Sequence, residues 1–288
     1  MKTLLLIDAN SLIHRFFHAM PPLTTPKGEP IGAIYGLSQV ALKIFREIKP
    51  DYIAACHDRP EPTFRDEMFK EYKAHRPPAV GELVYQIIKA YELWEKFGIK
   101  AVELSGFEAD DLIGTLVQKF KDVPDLKIII FSGDLDNLQL VVGDKVVVHF
   151  LIKGITETIT YNEEAVVKRY GLKPAQLPDL KAFLGDASDN IPGVKGVGPK
   201  TAAPLIQKFG SVEKVYEELW AVEQKVAKKI EEHKDVAMLS KKLATIVRDA
   251  PIGIDSIEEL KPKELDIPLL KKYFEELGFM SLVNRLTR

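Results

Sequence analysis

The sequence is short of cysteine, of long apolar runs and of net charge, and each shortage excludes something. Its 288 residues include one cysteine, Cys56, so no internal disulfide can brace the fold, and a reducing cytoplasm is the expected location. Apolar runs such as 4–7 and 128–131 fall far below the roughly 18 residues that cross a bilayer, so no membrane association is expected. The chain does not open with a basic segment leading into a long apolar one, so a secretory signal is not expected either. Lysine and arginine number 40 against 42 acidic residues, a net charge of −2, so bulk charge does not suggest a polyanionic partner; local clusters must do so. Fixed-period repeats and low-complexity tracts are also lacking. What remains is an ordinary globular composition, 46% apolar and 28% charged, long enough for one large domain or two modest ones.

Short apolar runs at 4–7, 52–56, 99–104, 127–131 and 145–150 read as buried strands. Helix-like stretches lie between them at 33–48, 82–97 and 108–120. This alternation predicts an α/β fold on a mostly parallel sheet with flanking helices. Beyond about residue 161 the pattern turns helical, with helices expected at 163–170, 177–184, 199–209, 212–219, 225–233 and 267–277. A boundary is expected within 155–178, placing an α/β core in 1–170 and a helical region packed on it in 171–288.

Acidic residues recur where the strands end. Asp8 follows the first run and Asp58 the second. Glu108, Asp110 and Asp111 follow the third after a short turn, and Asp134 and Asp136 follow the fourth through Ser132-Gly133. In an open parallel sheet, ligands sit outside the carboxyl ends of the strands, so one edge would collect all of these carboxylates. Asp186 and Asp189 are spaced to share one face of a helix. Each group has a plainer reading: Asp8 as a helix cap, 108–111 as acids favoured in a first helical turn, and 134–136 as turn formers. Their shared position is a single pattern, though, and gathered carboxylates repel unless a cation neutralises them. Oxygen-only ligands suit Mg²⁺ or Mn²⁺, and two such ions can clamp both oxygens of a phosphodiester displacement. The pattern points to metal-dependent phosphoryl transfer.

Residues 191–202, Ile-Pro-Gly-Val-Lys-Gly-Val-Gly-Pro-Lys-Thr-Ala, are neither a P-loop nor a dinucleotide fingerprint: Pro199 separates Gly198 from Lys200, and Thr201 stands where a glycine is needed. They fit a hairpin between helices within about 184–210, with Pro199 opening the second. Exposed backbone N–H groups at such a turn bind phosphate without reading bases. Lys195, Lys200 and Lys208 are the charged residues of 190–210. A further basic cluster, Lys70, Lys73 and Arg76 around Tyr72, suits a phosphate backbone and a stacked base, and equally a solvated amphipathic helix.

Taken together, these motifs resemble the 5′-nuclease (flap endonuclease-like) family, and within it the N-terminal 5′–3′ exonuclease domain of bacterial DNA polymerase I. The resemblance runs from Leu4-Leu5-Leu6-Ile7-Asp8 through Thr63-Phe64-Arg65, Tyr72-Lys73, Gly106 to Asp111, Ser132 to Asp136 and Gly185 to Val194, then on to Gly278-Phe279. It implies a structure-selective nuclease that cuts DNA near single-strand/duplex junctions in replication and repair, uses two Mg²⁺ or Mn²⁺ ions and leaves a 5′-phosphate. By motif match, Asp8, Asp58, Glu108, Asp110, Asp111, Asp134, Asp136, Asp186 and Asp189 would hold metal directly or through water. A helical arch would span about 64–90. There Lys73 would contact the scissile phosphate with help from Arg65 and Arg76, and Tyr72 would support the displaced nucleotide. Arg15 matches a basic residue near the active-site phosphates, and Lys73, Arg76, Arg15, Asp134 and Asp111 would bear most directly on catalysis. In the hairpin, Gly193, Lys195, Gly196, Gly198, Lys200 and Thr201 would hold the duplex, with K⁺ on the loop carbonyls. Implied partners are DNA with 5′ flaps, nicks or gaps, RNA primers, and a covalently linked or separate DNA polymerase; the implied state is a monomer.

Ala9, His14, Cys56-His57, Leu135, Asn137 and Pro204 depart from the family's usual residues, but none removes a carboxylate. Three other readings compete. A DNA-junction binder without catalysis would gain nothing from nine carboxylates facing a polyanion. A PIN-type ribonuclease is usually shorter and lacks the hairpin. A haloacid-dehalogenase-type phosphatase needs a second aspartate at position 10, where Asn10 stands.

Overall fold

The expected alternation becomes a six-stranded sheet. The computed structural model describes residues 1–153 and 157–286, so positions 155–156 of the expected boundary zone lie outside the described residues. The strands are β1 (Lys2–Asp8), β2 (Tyr52–His57), β3 (Lys100–Glu103), β4 (Leu126–Ser132), β5 (Val146–Lys153) and β6 (Glu157–Tyr161), in the order β3-β2-β1-β4-β5-β6. All pairings are parallel except β5 with β6, which the sequence pattern did not reveal because β6 buries only one end. The helices are α1 (Ala9–Ala19), α2 (Gly32–Lys43), α3 (Phe64–Met68), α4 (Gly81–Lys96), α5 (Ala109–Phe120), α6 (Glu163–Tyr170), α7 (Leu177–Leu184), α8 (Pro199–Phe209), α9 (Val212–Glu217), α10 (Gln224–Glu232), α11 (Lys234–Ala244), α12 (Ile267–Glu276) and α13 (Met280–Leu286).

Both faces of the sheet are buried, which is why its strands are continuous apolar runs rather than alternating ones. Leu5, Ile7, Ile53, Ala55, Ile129 and Phe131 form one core with α1, α2 and α4. Leu4, Leu6, Ala54, Cys56, Ile128 and Ile130 form the other with α5. A third core lies among α7 to α11. The chain then returns to the sheet. Ile246, Ile254 and Leu260 enter the second core, and Leu270, Tyr273 and Phe274 of α12 enter the first.

The strand order reverses direction between β1 and β4, and at such a switch point the loops leave in opposite directions and open a crevice. Asp8 ends β1, and Ser132 ends β4 just before Asp134. The topology therefore sets these two acids side by side.

His57 is fully buried at the end of β2. Its Nε2 accepts the indole N–H of Trp94 at 2.8 Å, and Tyr91 stacks on the ring with centroids 4.2 Å apart. Burial lowers its pKa from 6.5 to about 3. Between those values the unfolded chain takes up a proton that the fold refuses, so stability is whole above pH 6.5 and is lost as pH falls. The loss is at most about 1.4 kcal/mol per pH unit. Chemical denaturation at pH 7.5 and pH 5 should show an acid-induced loss that His57→Phe reduces by up to about 2 kcal/mol; an equal loss in both proteins would contradict this.

Candidate active site

The β1–β4 switch point organises the acids through Ser132. Its hydroxyl donates to Asp8 Oδ2 at 2.6 Å and accepts the Asp134 N–H at 2.8 Å. Asp8 Oδ1 accepts the Ser11 N–H at 3.1 Å, so Asp8 is a helix cap and a site carboxylate at once. Asp134 Oδ1 accepts the Asp136 N–H at 2.9 Å, the turn geometry that short acids favour. Asp110, in the first turn of α5, accepts the Asn137 amide N–H at 2.8 Å. Asp58 Oδ1 accepts the Ala109 N–H at 2.6 Å, which ties the end of β2 to the start of α5. Asp8, Asp58, Glu108, Asp110 and Asp134 line one cleft of about 470 Å³, with Lys73 and Arg76 across it.

The charges in this cleft are costly. Burial raises the Asp8 carboxyl to about 6, and Asp134 adds to the effect while Ser11 and Ser132 oppose it. Burial, then Asp8, Asp134 and Asp136, push Asp110 well above the ordinary range. Asp136 is likewise raised to about 6, by burial and then by Asp134. Among the described residues, no three His, Cys, Asp or Glu side chains close into a ready cage around one ion. The donors are instead held apart by Ser132, Asn137 and neighbouring cations. Oxygen-only donors whose charged forms are disfavoured by burial and then by one another fit a hard divalent cation, which would relieve both.

Asp186 and Asp189 lie outside a helix, so the shared face that their spacing would give them if helical does not arise. α7 ends at Gly185, and 186–191 form a tight turn closed by the Asp186–Ile191 bridge. The two acids therefore meet different partners. Asp186 joins Asp136 on the Lys181 ammonium. Asp189 receives Arg76 at 2.5 Å and lies 3.8 Å from Lys73.

The expected arch is shorter than 64–90. α4 packs Leu83, Gln86 and Ala90 into the core, and in the turn region between α3 and α4 Tyr72 packs with Ile191, Leu243 and Ala244. That region is stitched to the 186–191 turn. The Lys73 N–H donates to the Asp189 carbonyl at 2.9 Å, and Asn190 donates to the Glu71 carbonyl at 2.6 Å. Lys73 and Asn190 adopt φ of 52° and 57°, a left-handed backbone uncommon for residues other than glycine. The Lys73 ammonium donates to Glu108 Oε1 at 2.6 Å.

Several expected roles change. Arg65 is 2% exposed and cannot reach DNA; its guanidinium donates to both oxygens of Asp111, at 2.6 and 2.8 Å, and to the carbonyls of Leu243 and Thr245. Asp111 is fully buried and also accepts the N–H groups of Glu108 and Val247, so its oxygens are committed to the fold rather than turned to a metal. Tyr72 is buried, and its hydroxyl donates to Glu108 and Asp189 at 3.1 and 3.2 Å, so its ring is not open to a nucleotide. Arg15 lies beside Gly133, with its guanidinium on the Ile152 carbonyl.

In the hairpin, buried Val194 and Val197 anchor the turn, while Lys195, Gly196, Gly198 and Lys200 are exposed and Thr201 is half-buried. Pro199 opens α8 as expected, and Pro204 sits inside α8 without ending it. Gly193 does not present its N–H to a phosphate: it donates to the Ser240 hydroxyl at 3.1 Å. A Cβ there would lie 2.2 Å from the Gly185 nitrogen, at a φ of +63°. Gly193→Ala should cost about 2–4 kcal/mol, read by thermal melting, and an unchanged midpoint would contradict this close approach.

Sequence reasoning missed Ser132 and Lys181 as members of the site, and it treated Asn137 only as a departure. Ser132 carried a signal, since it ends a strand inside the acidic motif. Lys181 carried little, because its partner Asp136 is 45 positions away.

Against this geometry the chain matches the family models described as 5′-3′ exonuclease, N-terminal resolvase-like domain, over residues 3–171, and 5′-3′ exonuclease, C-terminal SAM fold, over residues 172–268. The chain belongs to the 5′–3′ exonuclease family. It is 36% identical over 288 residues to a 5′-3′ exonuclease of Aquifex aeolicus, covering 100% of this chain and 96% of that one. It is 42% identical over 285 residues to DNA polymerase I of Caldicellulosiruptor bescii, covering 98% of this chain and 33% of the relative, so it spans about a third of that protein. The bacteriophage T5 D15 flap endonuclease superposes with a TM-score of 0.71 at 22% identity, covering 90% of this chain and 97% of the other. The Rad2 catalytic core gives 0.61 at 16%, covering 96% and 88%. At these identities the two structures establish the fold. No helix among the described residues is long and apolar enough to cross a membrane.

Proposed function

We propose that this member of the family is a structure-selective 5′–3′ exonuclease and flap endonuclease that hydrolyses DNA near single-strand/duplex junctions and leaves a 5′-phosphate. The observation that carries the proposal is the meeting of Asp8, Asp110 and Asp134 at the β1–β4 switch point, with Lys73 and Arg76 across the cleft. The T5 flap endonuclease, described in a complex with DNA and metal ions, supports it by analogy.

Asp8, Asp110 and Asp134 would hold one Mg²⁺ or Mn²⁺ ion, with Asp58 and Glu108 acting through water, and Asp136, Asp186 and Asp189 would hold a second. Such ions supply Lewis-acid activation of water and neutralise phosphate charge. Ser132 and Asn137 orient the carboxylates, and a site held in place in this way does not have to reorganise during reaction. Lys73 and Arg76 would exchange Glu108 and Asp189 for the scissile phosphate, adding positive charge to the phosphate. Arg15 would reach phosphates at the rim. Lys195, Lys200 and the exposed turn around Gly196, Gly198 and Thr201 would grip the duplex backbone without reading sequence. A K⁺ on the loop carbonyls would have to displace Lys229, whose ammonium lies 3.3 Å from the Gly196 carbonyl. Flaps, nicks, gaps and RNA primers are the proposed substrates, and a linked or separate polymerase is the proposed partner of a monomer.

A panel of 5′-labelled flap, nicked, blunt duplex and single-stranded DNA, with a matching RNA strand, tests this reading. The expected result is cutting within a nucleotide or so of the junction, at least about tenfold faster on the flap than on single strands. Equal cutting of unstructured RNA would favour a PIN-type ribonuclease. Tight flap binding without cutting would leave a junction binder.

A further inference from the structure

Lys181 occupies the place of a cation. Its ammonium bridges Asp136 and Asp186, two of the acids assigned above to the second divalent ion. Lys73 and Arg76 approach the acids from the arch, whereas Lys181 rises from α7, which is anchored in the third core by Leu180, Ala182 and Phe183. Lysine is a point charge with three donors and no acceptor, and it sits on one oxygen of each of the two carboxylates that a hard divalent ion would use. Ammonium and ion therefore compete for this pair. A displaced ammonium needs a new partner, and Lys181 lines a cavity of about 540 Å³ together with Asp134, Asp136, Gln139 and Ser188. A phosphodiester entering that cavity would offer one.

We infer that Lys181 is an internal counter-cation that competes with the second divalent ion and releases Asp136 and Asp186 when substrate phosphate arrives, so that the second ion loads together with DNA. This rests on the two-ion reading and goes beyond it by assigning the order of loading to one positioning residue.

Mn²⁺ binding to the DNA-free protein, followed by calorimetry and by the electron spin resonance of free Mn²⁺, tests the inference. The wild-type protein should take up one ion tightly and a second weakly. Lys181→Met should tighten the second by about tenfold or more, whereas Lys181→Arg should keep the wild-type profile. A flap carrying a non-hydrolysable linkage should tighten the second ion in the wild type and add little in Lys181→Met. Lys181→Gln, which keeps a donor, replaces Lys181→Met should melting show that variant unfolded. A second affinity that is unchanged or weaker in the folded variants overturns the inference, because a merely structural lysine would loosen the site when removed. Absence of Mn²⁺ uptake by wild type and variant alike would instead overturn the two-ion reading beneath it.

Discussion

Asp110→Asn is expected to lower flap cleavage by at least about 10²-fold while leaving the protein as stable as the wild type, or more so. Asp110 is buried against Asp8, Asp134 and Asp136, and its carboxyl is pushed well above the ordinary range. A group whose folded pKa is raised opposes folding when charged, so the neutral isostere relieves repulsion at pH 7. The same substitution removes one carboxylate donor from the most crowded part of the proposed ion site. Activity and stability should therefore move in opposite directions. Melting curves and single-turnover cleavage on one flap substrate read both quantities. A variant that lost stability and kept its rate would place Asp110 in the fold rather than in the chemistry.

Arg65→Ala should do the reverse, costing about 3–5 kcal/mol of stability and acting on cleavage through folding. The pair is deeply buried: Arg65 reaches both Asp111 oxygens and lies 3.5 Å from Glu108, while its remaining N–H groups hold the end of α11 through Leu243 and Thr245. Removing the cation leaves Asp111 charged and unpaired where water cannot reach it, the costly way to break such a pair. Arg65→Met with Asp111→Leu should recover much of the loss, because replacing both partners by apolar groups of similar size leaves no orphaned charge. The measurements are denaturation midpoints of the two single variants and the double variant. An unchanged midpoint in Arg65→Ala, with weakened flap binding, would return Arg65 to the phosphate role that the family resemblance implied.

These two predictions mark where the sequence was legible. Asp8 and Asp134 could be read from pattern alone, because a buried parallel strand is a continuous apolar run and whatever follows it stands at the ligand-binding edge. The start of α8 was equally plain, since Pro199 suits a first helical turn and little else nearby. The Arg65–Asp111 pair was not legible: the two residues lie 46 positions apart, and a first-turn acid looks the same whether it faces a metal or an arginine. The plainer reading of 108–111 as helix-start acids holds for Asp110 and Asp111, both in the first turn of α5; Asp111 also completes a capping box with Glu108, whereas Asp110 faces Asp8 and Asp134 as well. α11 escaped because its buried side is Ala237, Ser240, Leu243 and Ala244, mostly small residues that leave a faint period. Asp186 and Asp189 would share a face only inside a helix, and Gly185, at φ 69°, ends the helix before them.

The central claim, that the carboxylates of the β1–β4 switch point make this chain a metal-dependent nuclease, is tested most directly by cleavage of a 5′-labelled flap in Mg²⁺, Mn²⁺ and EDTA, with Asp134→Ala alongside. The account predicts a cut near the junction with either ion, none in EDTA, and none by the variant under any condition. Cutting that persists in EDTA, or that Asp134→Ala retains at the wild-type rate, would contradict it.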